Sequence, residues 1–392
     1  MIDIAQVRKD TPGVQHVNHL NNAGSSLIPK VVHDVVSQYL DEELIAGGYE
    51  TAAKYAKEHE DFYHSAAKLL NANPDEIAFT QSATDSWTKL FFTLPWKAGD
   101  VILTGMAEYA SNYIAFLQVR RRYGVKVEVV PNDSSGQLSV VALKTMINPK
   151  VKLIALTHIP TNGGLVNPAE AVGEVARNSG VLYLLDACQS LGQYPLDVEK
   201  LGAHMLSGTG RKYLRAPRGT GIMYVAREVY KAHEPLLLDM FGAELVDKDR
   251  FEMRPDARRF EHFEINFAGK VGMKKAIDYA MDLGMEAIWE RVQHLAAYLR
   301  TQAEKISGVT AHDLGEVKSG ITSLKLPTDD VLGVMQRLRA QHINTSRIVP
   351  SGTWLDMEDR QLGEMLRASV HYYNTEEEID AFCEALTKEL SR

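Results

Sequence analysis

The sequence predicts an α/β fold in which helices cover both faces of a mainly parallel sheet, followed by a smaller α+β region. Short apolar runs with β-branched or aromatic residues recur between longer amphipathic stretches, which is typical of alternating strands and helices. Several of these runs lack polar alternation, as expected of strands that are buried on both faces of a parallel sheet. In such folds, ligands bind beyond the carboxyl ends of the strands.

The predicted strands of this sheet follow one another through the first two thirds of the chain. They cover residues 76–80, 101–104, 125–130, 152–157, 181–186 and 221–225. After about Met273 the pattern becomes a long helix, a strand-like segment at 320–326 and a final helix. That helix begins with a capping box at Thr375 and Glu378, and its apolar residues share one face: Ile379, Phe382, Cys383, Leu386 and Leu390.

Composition indicates a globular protein of the cytoplasm. The 392 residues are 45% hydrophobic and 24% charged, which is enough for a large core. Two cysteines, Cys188 and Cys383, cannot form a disulfide framework, and no apolar run or leader-like segment predicts secretion or membrane insertion. A formal net charge of -8 disfavours a nucleic-acid partner, so we interpret the triplet 120–122 of arginines as a solvated helix face.

The segment from 181 to 225 contains the residues most suited to catalysis. An apolar strand ends in Asp186, and a later glycine-rich turn presents Lys212. A carboxylate at the end of a buried strand needs a cationic partner, and a protonated pyridine nitrogen is one such partner. A lysine amine can form a Schiff base and carry protons. Taken alone, the pair also fits an ordinary surface lysine and a helix-capping aspartate.

Six segments, in this order, give the chain a recognisable family pattern. They are LNNAGSS at 20–26, FTQSATDS at 79–86, AEYASN at 107–112, THIPTNGGLVNP at 157–168, the segment 181–225, and LRASVHYYNTEEEID at 366–380. The chain thereby resembles the aminotransferase class V family of fold-type I enzymes, which use pyridoxal 5'-phosphate (PLP). Within it, the chain is most similar to the branch of isopenicillin N epimerase-like proteins and the carbon-sulfur lyases of ergothioneine biosynthesis.

The resemblance implies a seven-stranded sheet, a homodimer with the active site at the subunit interface, and a set of cofactor-binding residues. Lys212 becomes the Schiff-base lysine, Asp186 the partner of the pyridinium, and Gln189 a donor near the 3-oxygen. Further cofactor contacts are implied for the ring-stacking Tyr109, for Thr161, and for four phosphate ligands, Ala83, Thr84, Thr209 and Arg211. Many family members have Ser and His at the last two positions, so this chain keeps a hydroxyl and gains a permanent charge.

The substrate is implied to be an amino acid. By resemblance, Arg367 binds its α-carboxylate through two parallel hydrogen bonds, and Asn22, Ala23 and Gly24 approach the same group. The segment 258–261 precedes the region through which a partner subunit completes the phosphate site. Side-chain specificity is not readable from the sequence, although Tyr49, Arg347 and Trp354 are candidates by polarity and approximate location.

The predicted reaction is β-elimination from a cysteine-derived amino acid through an external aldimine and an α-carbanion, with Lys212 as base. Aminotransfer and epimerisation remain alternatives, as does a non-catalytic PLP-fold binding protein. Desulfuration that uses a mobile catalytic cysteine is disfavoured, because the segment 343–367 contains no cysteine. A dinucleotide site is weakly supported, since the string 208–213 lacks the third glycine, and His16 with His19 lacks further ligands for a metal.

The chain is therefore predicted to have three parts. Residues 1–20 form a segment that packs on the small domain, residues 21–272 the large PLP-binding domain, and residues 273–392 the small α+β domain.

Overall fold

The computed structural model describes residues 2–391. Its strands, in chain order, are β1 Asn18–His19, β2 Ile77–Thr80, β3 Val101–Gly105, β4 Lys126–Val130, β5 Val151–Thr157, β6 Leu182–Asp186, β7 Met205–Thr209, β8 Gly221–Val225, β9 Ala243–Asp247, β10 Arg250–Met253, β11 Thr310–Ala311, β12 Ile321–Lys325, β13 Ile343–Asn344, β14 Ser346–Ile348 and β15 Met365–Ser369.

The α-helices alternate with the strands through the first half of the chain and flank a smaller sheet in the second. They are α1 Ile4–Lys9, α2 Lys30–Ala46, α3 Gly48–Lys54, α4 Ala56–Leu70, α5 Ala83–Thr93, α6 Ala110–Tyr123, α7 Val140–Met146, α8 Ala169–Ser179, α9 Val198–Leu201, α10 Arg227–Ala232, α11 Phe267–Leu283, α12 Met285–Ala303, α13 Val331–Ala340, α14 Trp354–Asp359 and α15 Glu376–Leu390. Short 3-10 turns lie at Pro12–Gln15, Pro74–Glu76, Ala257–Phe260 and Pro350–Thr353.

Seven strands form the central sheet in the order β2-β8-β7-β6-β5-β3-β4. Strand β8 runs antiparallel to both of its neighbours, whereas the other pairs are parallel. The predicted α/β fold with a mainly parallel seven-stranded sheet is confirmed. The carboxyl ends of β3, β5, β6 and β7 therefore meet at one edge, where the ligand site is expected.

Two features of the strand pattern differ from the sequence prediction. Strand β7, with the sequence MLSGT, was not predicted, because its serine, glycine and threonine give too weak an apolar signal; it is nevertheless fully buried between β6 and β8. The hairpin of β9 and β10 was also not predicted, and its side chains are largely exposed.

The second half of the chain builds a four-stranded antiparallel sheet in the order β11-β12-β15-β14. Instead of one long helix after Met273, two helices, α11 and α12, meet at Gly284, whose φ of +87° ends the first helix at low cost. The capping box of Thr375 and Glu378 that opens α15 is present as predicted. Within residues 2–391, no helix has the length and apolar character to cross a membrane.

Packing links the N-terminal segment to both parts of the chain. Strand β1 pairs in parallel with β13, and Leu20 joins the apolar cluster of the small sheet, whereas Val7 and Val14 join the larger cluster. The predicted division after residue 272 falls within α11, most of which packs in the larger cluster. The domain limits stay a proposal, and residues 1 and 392, at their outer ends, lie outside the described residues.

Candidate active site

A cavity opens at the carboxyl ends of the central strands. Its empty volume is about 520 Å³, part of which is open to solvent. Its lining comes from the segments that follow five strands: Ser82, Ala83, Thr84, Tyr109, Asn112, Thr157, Ile159, Thr161, Asp186, Cys188, Gln189, Arg211 and Lys212. Eight of the predicted site residues are in this set, although they come from distant parts of the sequence.

Asp186 is the last residue of β6 and is 4% exposed. Its Oδ2 accepts a hydrogen bond of 2.8 Å from Nδ2 of Asn112, and its Oδ1 accepts one of 2.8 Å from the backbone N–H of Cys188. Burial raises the pKa of the Asp186 carboxyl, while these hydrogen bonds act in the opposite direction. A cation bound in the cavity would therefore stabilise the charged carboxylate.

Lys212 lies in the turn after β7, with its amine buried in the cavity. Burial lowers the pKa of Lys212, and the charges of Arg211 and Arg367 act in the same direction. Nζ donates to Sγ of Cys188 at 3.3 Å, which places the thiol beside the amine. A larger neutral fraction of the amine suits Schiff-base formation and proton transfer.

The turn that carries Lys212 is fixed by packing and by a buried arginine. Gly192 has a φ of +94°, and a Cβ there would lie 2.2 Å from the backbone nitrogen of Leu214, so only glycine allows this contact. Arg215, with a φ of +61°, donates to the hydroxyls of Tyr372 at 2.8 Å and Thr11 at 2.7 Å. The turn that carries Lys212 is thus hydrogen-bonded, through Arg215, to residues near both ends of the chain.

The part of the cavity formed by the start of α5 and by Arg211 is suited to an anion. Helix α5 begins at Ala83, with Ser82 as its N-cap, so the free backbone N–H groups of its first turn lie beside the cavity. Arg211 adds a guanidinium, and its Nη1 donates to the hydroxyl of Thr209 at 3.2 Å. Thr209 itself is 1% exposed and lies behind Arg211.

Gln189 and Thr161 lie between the lysine and the small sheet. Nε2 of Gln189 donates to Oγ1 of Thr161 at 3.3 Å and to the backbone oxygen of Ala23 at 3.1 Å. Its Oε1 is buried and has no hydrogen-bond partner among the described residues. The predicted ring-stacking residue, Tyr109, lines the cavity at the N-cap of α6.

Arg367, on β15, lies beside the cavity and is 8% exposed. Its Nη1 donates to the backbone oxygen of Thr161 at 3.0 Å and to its Oγ1 at 2.8 Å, while Nη2 makes one long bond of 3.4 Å to Oδ1 of Asn21. Nε is buried, and no described residue accepts its hydrogen. The edge formed by Nε and Nη2 is therefore available to a carboxylate.

The N-terminal substrate residues are arranged differently from the sequence prediction. The side chain of Asn22 faces the small sheet, where Nδ2 donates to the backbone oxygen of Ser369 at 2.7 Å. Ala23 approaches the site through its carbonyl, and Gly24 packs against Asn21. Asn21 is the residue whose side chain reaches Arg367, because consecutive residues of this turn point in different directions.

The remaining specificity candidates lie outside the set of cavity-lining residues. Tyr49 and Trp354 are 74% and 55% exposed, and Arg347 pairs with Glu364 at 3.2 Å. Sequence reasoning missed Asn112 and Glu108, although both lie in the quoted segment 107–112. Their spacing of one helical turn next to Tyr109 was the available signal.

PLP fits this cavity on four grounds. The start of α5 with Arg211 suits its phosphate, Asp186 suits a protonated ring nitrogen, and Lys212 offers an amine for its aldehyde. The buried Oε1 of Gln189 has no partner among the described residues and can accept a hydrogen bond from a bound ligand. Its Nε2 donates to Ala23 and Thr161, which differs from the predicted role of Gln189 as a donor to the 3-oxygen. In the part of the chain that the structure describes, no three His, Cys, Asp or Glu side chains are grouped to hold a metal ion.

Comparison with known proteins agrees with this fit. A probable cysteine desulfurase of Methanothermobacter thermautotrophicus is 27% identical over 386 residues, covering 97% of this chain and 96% of the relative. The apo cysteine desulfurase of Thermococcus onnurineus superposes with a TM-score of 0.91 at 25% identity, covering 100% of this chain and 99% of that one. The cystine C-S lyase C-DES, solved with its product cysteine persulfide, has the same fold, with a TM-score of 0.86 at 21% identity over 96% of this chain and 99% of that one. The sequence model of the family Aminotransferase class-V matches residues 18–382. Because that match spans nearly the whole chain, the protein belongs to the aminotransferase class-V family of PLP-dependent enzymes.

Proposed function

We propose that the protein is a lyase that cleaves the C–S bond of cysteine or a cysteine-derived amino acid by β-elimination. The observation that carries the proposal is that a buried lysine amine of lowered pKa lines the cavity close to Arg367, whose Nε has no partner among the described residues. That pair suits removal of a proton next to a bound carboxylate. The name of the relative from Methanothermobacter, a probable cysteine desulfurase, supports a sulfur-containing amino acid as substrate.

Each residue of the cavity then has a distinct role. PLP supplies an electron sink for the negative charge that develops at the substrate α-carbon. Lys212 would hold the cofactor through Nζ, and the same atom, once free, would take the α-proton. Asp186 keeps the ring nitrogen protonated, and Arg367 orients the substrate by its carboxylate.

The other predicted ligands position the cofactor. Backbone N–H groups of Ala83 and Thr84, with the side chains of Thr209 and Arg211, hold the phosphate. Tyr109 packs against the ring face. Gln189 and Thr161 would contact the ring substituents. On the substrate side, Asn21 takes the place predicted for Asn22 and Gly24, because its Oδ1 accepts from Nη2 of Arg367, while the carbonyl of Ala23 is held by Gln189.

Desulfuration onto a protein thiol is the second candidate, because the curated relative bears that name. A thiolate is the reactive form of cysteine. Burial raises the pKa of the Cys188 thiol, and burial raises that of Cys383 to about 12. Both thiols are therefore poor acceptors of sulfur at neutral pH, and Cys383 packs in the apolar cluster of the small sheet. We favour β-elimination for this reason.

Product analysis distinguishes the two reactions. With cysteine as substrate, β-elimination by the holoenzyme yields pyruvate, ammonia and sulfide in equal amounts, whereas desulfuration yields alanine and sulfane sulfur. Lys212→Ala, loaded with PLP, is the matched control and should form none of these products. Alanine without pyruvate would contradict the proposal. A product that differs from the substrate only in configuration would indicate epimerisation, and transfer of the amino group alone would indicate aminotransfer; either result would also contradict the proposal.

We also propose a homodimer in the cytoplasm. Large apolar side chains are exposed on α2 and in the segment before β9, including Leu44 at 85%, Ile45 at 86%, Leu237 at 70% and Met240 at 76%. Large apolar side chains exposed to this extent are candidates for an interface, and a second copy of the chain is the expected occupant. Light scattering should give the mass of two chains, and Leu237→Asp with Met240→Asp should reduce it to one. A monomeric wild-type protein would contradict the dimer.

A further inference from the structure

A second buried carboxylate lies behind Asp186. Glu108, 4% exposed, directly precedes α6. Its Oε1 accepts hydrogen bonds from the backbone N–H of Tyr109 at 2.9 Å, from Nδ2 of Asn112 at 2.8 Å and from the hydroxyl of Thr157 at 2.5 Å. Its Oε2 accepts one from the hydroxyl of Thr104 at 2.8 Å. Two of the groups on Oε1 are N–H donors that cannot accept a proton, so Oε1 is held as a hydrogen-bond acceptor.

Asn112 joins this carboxylate to Asp186. Its Nδ2 donates at 2.8 Å to Oε1 of Glu108 and at 2.8 Å to Oδ2 of Asp186. Only the NH₂ group of an amide can serve two carboxylates at once, which fixes the orientation of the side chain. Glu108 thus holds Asn112, and Asn112 in turn holds the oxygen of Asp186.

The charges in this part of the cavity are unbalanced. Burial raises the pKa of Glu108, hydrogen bonds from Thr157 and Asn112 oppose that effect, and the nearby charge of Asp186 adds to it. The amine of Lys212, whose pKa burial lowers, is a weak counter-ion. From β3, β5 and α6, the groups that face Glu108 are the two threonine hydroxyls and the Asn112 amide, which carry no charge. A cation bound at Asp186 would therefore oppose these upward shifts and favour the ionised form of both carboxyls.

We propose that Glu108 is a positioning residue, which through Asn112 orients the Asp186 carboxylate and adds the negative charge that keeps the ring nitrogen of bound PLP protonated. The inference rests on the proposed function, in which that nitrogen must stay protonated to draw electrons from the substrate. It assigns a role to the charge of Glu108, and not merely to its volume. Size and charge can be separated by substitution at this one position.

The test uses PLP labelled with ¹⁵N in the ring, bound to the purified protein, with the ¹⁵N chemical shift followed against pH. In the wild type, the ring nitrogen should stay protonated over the pH range in which the protein is folded. Glu108→Gln keeps the size and removes the charge, and should lower the pKa of the ring nitrogen by about one to two pH units. Glu108→Asp keeps the charge and should remain close to the wild type. Glu76→Gln removes a buried carboxylate from the 3-10 turn before β2 and is the control that should leave the ring-nitrogen pKa unchanged.

Each result decides the matter. An unchanged ring-nitrogen pKa in Glu108→Gln would overturn the inference while leaving the proposed PLP lyase intact. The same holds if the ring-nitrogen pKa falls in Glu108→Asp but stays at the wild-type value in Glu108→Gln. A wild-type protein that forms no borohydride-trapped bond at Lys212 would overturn both it and the proposed function. If Glu108→Gln does not fold, Thr104→Val, in which Glu108 loses one hydroxyl donor, replaces it; the ring-nitrogen pKa should again fall, and an unchanged value would refute the role.

Discussion

Replacing Arg367 by lysine should weaken recognition of the substrate carboxylate while leaving the cofactor bound. The guanidinium is held through Nη1 by Thr161, while its Nε–H has no partner among the described residues and Nη2 makes only one long hydrogen bond, so this edge can offer two parallel hydrogen bonds. Lysine keeps the charge but presents a single point donor, so one charge-assisted hydrogen bond is lost. Such a bond contributes about 1.5 to 3 kcal/mol, which corresponds to a fall in kcat/KM of roughly ten- to hundredfold.

The assay compares cysteine with cysteamine, which lacks the carboxylate. The kcat/KM for cysteine should fall in Arg367→Lys, whereas the visible absorbance of the holoenzyme and the affinity for cysteamine should change little. Arg227→Lys, at an exposed ion pair with Asp75, is the control that removes an arginine fork elsewhere. Equal kcat/KM for cysteine in wild type and Arg367→Lys, or an equal loss of affinity for both ligands, would show that Arg367 does not bind the carboxylate.

Four further outcomes test the cofactor site and the chemistry. Borohydride reduction of the holoenzyme should place the PLP adduct on the peptide containing Lys212, and an adduct on another lysine would refute the assignment. Because the pKa of Lys212 is lowered, its neutral amine dominates at a lower pH than that of an ordinary lysine. The rate of PLP capture should therefore level off below pH 10.5, the ordinary lysine value. Asp186→Ala should still bind PLP yet lose most turnover, measured as pyruvate formation, and near-native turnover would exclude its role at the ring nitrogen. The double substitution Cys188→Ala with Cys383→Ala should retain most of the sulfide release, because neither buried thiol is needed as a sulfur acceptor, and its complete loss with preserved PLP content would favour desulfuration.

The names of the relatives and the residues of this chain favour different reactions. Relatives named cysteine desulfurases support a sulfur amino acid, whereas the segment 343–367, where the resemblance places a mobile cysteine, contains none in this chain. The fold is shared over nearly the full length, yet the acceptor for sulfur depends on single residues in loops. Identifying the product is therefore more informative than further comparison of folds.

The sequence by itself determined those features that depend on neighbouring residues. Apolar runs predicted six of the seven central strands to within one residue of their observed ends, because a strand buried on both faces needs continuous apolar side chains. The strand end at Asp186 and the glycine-rich turn at Lys212 are also recognisable from neighbouring residues alone. The capping box at Thr375 needs residues only three positions apart.

Tertiary structure alone decided which of these residues meet and how they are charged. Strand β7 has little apolar signal and is specified by pairing with β6 and β8. The direction of a turn decides that Asn21, and not Asn22, contacts Arg367. Which side of Arg367 can bind a carboxylate depends on Thr161, which is far away in the sequence and holds Nη1. The bridge from Glu108 through Asn112 to Asp186 joins strands that only the sheet brings together, and the pKa changes of its carboxyls arise from burial, which no local pattern of residues records.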